Sequence, residues 1–407
     1  MLRYRRRDKR RLAGENDPGF GADTSFSRDT LEGIVGSVFA ENNSVKLLYK
    51  GRDAFTAIID TVAGARSFIC FQFYIFRNDE TGNEIAAVLR KKAKEGVSVY
   101  ILYDHFGSFG TPHSFWDGLK AEGIHIRASR PFKWLSPFHY ARRDHRKLII
   151  VDGERAFTGG LNIANEYRGF HLRHKKGWRD TGIVLDGPIA SDLLAQFMKS
   201  WNVWGPEAGR FSSYPSPADK SAPSDGLPVI PIFASSAKGR RRMRKILYHS
   251  IQSARASLYL TTAYFTPSRR MVDSLEEAVK RGVDVRLLLP GQSDIPAAYH
   301  AGRAFFARLL KAGVRIYAYQ GEVLHAKSSV FDSYWSIVGS ANLDFQSLRW
   351  NDEGNVGILD EGFGREMTAV FHGDMNHSIE ITRKEWAKRP FCEKVKERFF
   401  VLFRRRL

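Results

Sequence analysis

Two short runs in this sequence combine the residue types that phosphoryl chemistry needs. His145-Arg146-Lys147 leads through Leu148-Ile149-Ile150-Val151 to Asp152, and His325-Ala326-Lys327 leads through Ser328-Ser329-Val330-Phe331 to Asp332. Each copy continues with Gly159-Gly160 or Gly339-Ser340, and then with Asn162 or Asn342 at the matching place. A histidine and a lysine two residues apart on a strand project from the same face, so an imidazole and an ammonium converge on one anion. Gly159, Gly160, Gly339 and Ser340 are expected to let the backbone approach a phosphate, helped by amides at a following helix start. Asn162 and Asn342 add neutral donors. One copy alone would be a weak signal; two copies with matched downstream residues are a strong one. If the copies face each other, two His, two Lys and two Asn surround one phosphodiester. One histidine can then attack phosphorus while the other protonates the departing alcohol. The other ten histidines show no metal-ligand spacing, and His171-Leu172-Arg173-His174 reads as surface or entrance decoration.

The elements around these motifs repeat as well. Residues 68–76 and 258–266 read as buried strands. Each is followed by a helical stretch and a Gly-Val step into another strand, at Gly96-Val97 and Gly282-Val283. Strands alternating with helices argue for α/β layering, and the offset of the two series argues for an internal duplication. The expected organisation is a basic arm with a short helix over 1–44, a first repeat over 45–204 and a second over 229–385. Between the repeats lies a Pro/Ser/Gly/Asp-rich excursion at 205–228, and a basic amphipathic tail at 386–407 ends the chain.

The 407 residues carry 63 Lys and Arg against 44 Asp and Glu, a formal net charge of +19. This excess admits nucleic acid, an anionic membrane or a phosphorylated substrate as partner. Forty-three per cent hydrophobic residues exclude a largely disordered or fibrous chain. The two cysteines, Cys70 and Cys392, are no disulfide framework, and Cys70 reads as a buried strand thiol. The basic N-terminus leads into no apolar run, so no secretory signal is expected. No transmembrane helix is expected either.

The duplicated motif resembles that of the phospholipase D superfamily, and within it the bacterial cardiolipin synthases. Tyr74-Ile75-Phe76-Arg77-Asn78-Asp79-Glu80-Thr81-Gly82, Gly177-Trp178-Arg179-Asp180-Thr181, Gly339-Ser340-Ala341-Asn342-Leu343-Asp344 and Asn351-Asp352-Glu353 carry the narrower likeness. The chain resembles the shorter class, without two N-terminal membrane helices. The resemblance implies an α/β fold of two tandem α/β/α repeats packed with pseudo-two-fold symmetry, the active site at their interface. It also implies that His145 is the nucleophile, forming a phosphohistidine, and that His325 is the general acid and later base. Lys147, Lys327, Asn162 and Asn342 would hold the phosphoryl oxygens, with Asp180 and Glu353 as orienting partners of the histidines. Asp152 and Asp332 would tie down the motif's backbone and its lysine. No metal or cofactor is implied, because lysines supply the positive charge.

The function so implied is transfer of a phosphatidyl group from phosphatidylglycerol, or another phospholipid, to a second phosphatidylglycerol. Hydrolysis by the same site is the alternative. A nuclease-type phosphodiesterase and a non-enzymatic lipid scaffold rank below these. Nucleic acid is therefore not the expected partner, and the oligomeric state is not legible. The charge is expected to anchor the enzyme peripherally on the cytoplasmic face of the inner membrane. The 238–245 cluster, the aromatic-basic loop at 131–140 and the stripe Phe391, Val395, Phe399, Leu402, Phe403 supply the contacts.

Overall fold

The structure, a computed structural model, describes residues 26–132, 142–169, 177–205 and 226–406. The arginine-rich N-terminal arm, most of the 131–140 loop, His171 and His174, and the middle of the 205–228 excursion lie outside the described residues.

Local sequence builds the same unit twice. Asp79 caps the helix Glu80–Lys94 by accepting from the Gly82 amide, and Ser268 caps Arg269–Lys280 by accepting from the Met271 amide. Gly96 and Gly282 follow these helices at a φ of 88°, a left-handed turn that a side chain would strain. Strands begin two residues later. The first half carries β1 (Ala40–Leu48), β2 (Phe68–Phe73), β3 (Ser98–Asp104), β4 (His125–Ser129), β5 (Leu148–Val151), β6 (Arg155–Gly159), β7 (Trp178–Arg179) and β8 (Gly182–Asp186). The second carries β9 (Leu227–Phe233), β10 (Ser257–Thr261), β11 (Asp284–Pro290), β12 (Arg315–Tyr319), β13 (Val323–Leu324), β14 (Ser328–Phe331), β15 (Trp335–Gly339), β16 (Gly354–Leu359) and β17 (Ser378–Ile381).

All but β7 and β13 join one sheet in the order β17-β12-β11-β10-β14-β15-β16-β9-β1-β8-β6-β5-β2-β3-β4. Outward from the antiparallel β1–β9 junction the two sides repeat each other, and β17 adds one edge strand. The fold is the expected duplicated α/β architecture with pseudo-two-fold symmetry. Its opening strands start ahead of the expected repeat boundaries at 45 and 229. The polar Glu41-Asn42-Asn43 masks the start of β1, which is irregular there: Asn42 has a φ of 59°, and the pairing register shifts between Ala40 and Asn43.

Alternate residues of β2 point into different cores. Phe68 and Cys70 join a core shared by both halves, while Ile69, Phe71 and Phe73 join one belonging to the first half. This two-sided burial is why the strand reads as an apolar run broken only by Gln72, itself buried and bonded to Asp144. The helices Ile189–Val203 and Glu361–Asn376 cover the junction, where Phe197, Trp201, Phe363 and Phe371 meet Val229 and Val338. The halves are therefore welded at the sheet and beneath it.

Candidate active site

The backbone before each motif histidine is held by the opposite half. The His145 amide donates to the Asp352 carbonyl at 2.8 Å, and the His325 amide donates to the Arg179 carbonyl at 2.8 Å. The parallel pairing of β7 with β13 makes the second of these contacts, and an isolated Asp144–Asp352 bridge makes the first. The residue after each acceptor is an acid, and its side chain lands on the histidine facing it. His145 Nδ1 lies 3.1 Å from Glu353 Oε2 and 3.1 Å from the Ser340 carbonyl. His325 Nδ1 lies 2.6 Å from Asp180 Oδ2. Asp180 follows His145 along the chain and Glu353 follows His325, but the structure sets each acid against the histidine of the opposite half. Nothing in the sequence announces which half each strand pairs with.

Both histidines line a pocket of about 450 Å³ together with Asn162, Asn342, Tyr74 and Tyr264. Asn162 Oδ1 accepts from the Ile75 amide and its Nδ2 donates to the Tyr167 hydroxyl, at 3.1 and 2.7 Å. Asn342 Oδ1 accepts from the Tyr264 amide at 3.3 Å. These bonds also end the strands early. The sequence suggests strands reaching 76 and 266, whereas β2 stops at Phe73 and β10 at Thr261, and the chain then turns Tyr74 and Tyr264 toward the pocket. The two lysines stand behind the histidines. Lys147 Nζ donates to the His145 carbonyl at 2.6 Å, and Lys327 Nζ donates to the His325 carbonyl.

Two sets of expected site residues are elsewhere. Asp152 accepts from the amides of Arg66, Ser67 and Phe68 at 2.8–2.9 Å, and Asp332 from those of Arg255, Ala256 and Ser257 at 2.8 Å. Each sits at the far end of the strand that begins beside its lysine, so it ties backbone to backbone and not the lysine. Gly159, Gly160, Gly339 and Ser340 form no phosphate cradle. The Gly160 amide is spent on the Thr181 carbonyl, that of Gly339 on Lys327 and that of Ser340 on Gly354. Gly160 and Ser340 instead admit the acids, while Gly159 and Gly339 make room for the neighbouring strands at Gly182 and Asn355. A Cβ on Gly160 would stand 2.0 Å from Asp180 Oδ1, and the Ser340 hydroxyl donates to Glu353 Oε2 at 2.5 Å.

Burial outweighs the neighbouring carboxylates in setting the charges of the basic groups. It lowers His325 to about 3, aided by Lys327, and lowers His145 as well. Burial and mutual repulsion bring Lys147 down to about 7, and burial brings Lys327 to about 8. Burial pushes Asp180 up, but Lys327 and His325 outweigh it and hold its carboxyl below the ordinary value. Both imidazoles are thus neutral near pH 7. At His145 both Nδ1 partners are acceptors, so Nδ1 carries the proton and Nε2 the lone pair. At His325, Nδ1 faces the Asp180 acceptor and the Lys327 ammonium, 2.7 Å away. The two rings are chemically different despite the repeated motif.

Sequence reasoning missed Tyr74, Tyr264 and Asp294. Asp294 lines the pocket and accepts from the Tyr264 hydroxyl at 2.8 and 3.0 Å. The signal for the tyrosines was present, since Tyr74 and Tyr264 stand at the same place in the two matched strand segments. Asp344, raised to about 7 by burial, also lines the pocket.

Residues 58–201 and 247–375 match the family described as "Cardiolipin synthase, PLD-like domain". Cardiolipin synthase A of Pseudomonas fluorescens is 34% identical over 349 residues, 84% of this chain and 71% of that one. The major cardiolipin synthase ClsA of Bacillus subtilis is 32% identical over 364 residues, 89% and 75% of the two chains. Among solved structures, phosphatidylserine synthase of Haemophilus influenzae superposes with a TM-score of 0.73 at 15% identity, over 93% of this chain and all of that one.

Proposed function

The chain belongs to the cardiolipin synthase family of the phospholipase D superfamily and is an enzyme of that superfamily, and from this we propose that it makes cardiolipin from two molecules of phosphatidylglycerol. The observation that carries the reading is the crossed pair of histidines. Each is neutral, each is buried, and each has its Nδ1 against a carboxylate from the opposite half, with both rings on one pocket.

His145 Nε2 attacks phosphorus, and the bond from phosphorus to the headgroup glycerol breaks. His325 gives its Nε2 proton to the departing oxygen. The hydroxyl of a second phosphatidylglycerol then attacks the phosphohistidine, its proton passes to His325, and the His145–phosphorus bond breaks. The Nδ1 environments support this division. Acceptors alone at His145 keep its Nε2 basic, while the Lys327 ammonium at His325 favours a proton on Nε2. Lys147 and Lys327 against Asp180 and Glu353 sum to zero when all are charged. An arriving diester adds one negative charge, and an imidazolium at His325 cancels it, so binding loads the acid. Asn162 and Asn342 donate to the phosphoryl oxygens as the transition state forms. Residues 45–204 and 229–385 act as one catalytic unit. Because the substrates are bilayer lipids, we assign the enzyme to the cytoplasmic surface of the inner membrane as a peripheral protein. Among the described residues no helix is long and apolar enough to cross a membrane.

Purified protein incubated with phosphatidylglycerol vesicles should yield cardiolipin and glycerol on lipid chromatography, and His145→Ala should abolish both. Phosphatidic acid as the sole lipid product would replace transfer by hydrolysis.

A further inference from the structure

A helix on a protein surface ordinarily buries its apolar side. The C-terminal helix Phe391–Phe400 does the reverse. It packs against the helix Pro296–Arg303, and the side chain buried there is Glu397, only 2% exposed, paired with Arg389 at 2.8 Å and Arg303 at 3.6 Å. Phe391, Val395, Phe399, Leu402 and Phe403 are left outside, between 49 and 78% exposed. The ionic face holds the helix to the protein, and the apolar stripe is presented to whatever lies beyond.

The chain then enters a cavity of about 600 Å³. Arg404 and Arg405 line it with Arg241, Arg244, Arg269 and Arg349, and among the described residues no acidic side chain lines it. The short helix Phe345–Arg349 separates this bowl from the catalytic pocket: Phe345 and Arg349 line the bowl, Gln346 and Ser347 the pocket. The tail crosses that wall. Arg406 lines the pocket, and its carbonyl accepts from Gln346 Nε2 at 2.9 Å.

We propose that the stripe and the bowl are one docking face for an anionic phospholipid bilayer, the stripe entering the acyl region and the bowl taking the phosphate of a headgroup other than the one at His145. Charge decides the occupant. A second copy of a chain carrying +19 would oppose bowl to stripe or cation to cation, and a nucleic acid would satisfy the arginines but leave five apolar side chains in water. An anionic bilayer satisfies both, and docking there sets the catalytic pocket one helix away from the lipid surface. The inference deepens the lipid reading without needing its chemistry, since a protein that docks but turns over no lipid keeps this face and loses that reaction.

Full-length protein should sediment with vesicles of phosphatidylglycerol mixed with phosphatidylcholine, and not with phosphatidylcholine alone. Phe399→Ser with Leu402→Ser should weaken partitioning by about tenfold or more. Arg404→Gln and Arg405→Gln should weaken it about fivefold each, an effect lost at high salt. A Phe399→Trp variant should shift its emission to the blue on mixing with the anionic vesicles. The stripe variant should keep its thermal midpoint and its turnover of detergent-dispersed phosphatidylglycerol. Tryptophan emission that ignores vesicles, or stripe and arginine variants that sediment like wild type, would overturn the proposal. So would loss of duplex DNA binding in the arginine variant without loss of vesicle binding, or a dimer that the stripe variant turns into a monomer. Equal loss of vesicle binding and detergent turnover would also overturn it, making the tail part of the catalytic fold.

Discussion

The crossing of the acids can be read out by changing the leaving group. Asp180→Asn removes the charge from a buried contact of 2.6 Å to His325, the ring proposed to protonate the departing alcohol. A hydrogen bond to a charged group is worth about 1.5–3 kcal/mol. Losing that stabilisation of the imidazolium slows expulsion of glycerol by roughly 10- to 150-fold. A p-nitrophenyl phosphodiester of the same phosphatidyl group leaves without a proton, so on it the variant should stay within about threefold of wild type. Glu353→Gln acts on His145, the proposed nucleophile, whose lone pair both substrates would require, and should slow the two alike. The assay is single-turnover release of glycerol or p-nitrophenol by each variant. If Asp180→Asn slows both substrates equally while Glu353→Gln spares p-nitrophenol, then either the pairing or the assignment of nucleophile and acid is reversed.

Other expectations follow from the same contacts. Gly160→Ala places a Cβ 2.0 Å from Asp180 Oδ1 and should copy Asp180→Asn, slow on glycerol and nearly normal on p-nitrophenol. Asp152→Asn keeps the left-handed turn but weakens a carboxylate bonded to three amides; denaturant titration should show a loss of about 2 kcal/mol with activity per folded molecule retained. With Lys147 near 7 and Lys327 near 8 in the free enzyme, kcat/KM should fall as pH rises through that interval and anion-holding charge is lost; Lys147→Arg should move the fall upward. Stability runs the other way. Unfolded lysines keep their protons to about pH 10.4, so from pH 7 upward the unfolded chain binds more protons and the ligand-free fold gains stability. The thermal midpoint should rise over that range, and rise less in Lys147→Met.

What the sequence made legible is what repeats along the chain. His145 and His325, the lysines beside them, the Gly-Val steps and the buried strands all recur at matched places, and the duplicated α/β fold follows from them. Contacts between the halves left no such trace. That Glu353 serves His145 depends on the Asp352 carbonyl meeting the His145 amide, a pairing that no local pattern encodes. The glycines misled for a related reason. A Gly-Gly beside a phosphate motif suggests backbone approaching ligand, but a glycine is equally needed where a neighbouring side chain approaches backbone, and at Gly160 that neighbour is Asp180. Asp294 lies outside both motifs and had no signal at all.

Symmetry alone would give this site two equivalent histidines, and two equivalent histidines make poor partners for the proposed reaction, which needs one base and one acid. The fold breaks the equivalence with few substitutions. Where the first half has Gly160, leaving room for the short carboxylate of Asp180, the second has Ser340, whose hydroxyl holds the longer Glu353 and whose carbonyl adds an acceptor to His145. Lys327 Nζ reaches Nδ1 of its own histidine, whereas Lys147 Nζ donates to the His145 carbonyl. One ring is therefore surrounded at Nδ1 by acceptors and the other by an acceptor and a cation. The first arrangement raises the electron density at Nε2, and the second holds a proton there. Because the acids cross between halves, neither half contains a finished histidine by itself. The difference between the two rings, which the proposed mechanism uses as nucleophile and acid, is a property of the interface, set where Gly160 meets Asp180 and Ser340 meets Glu353.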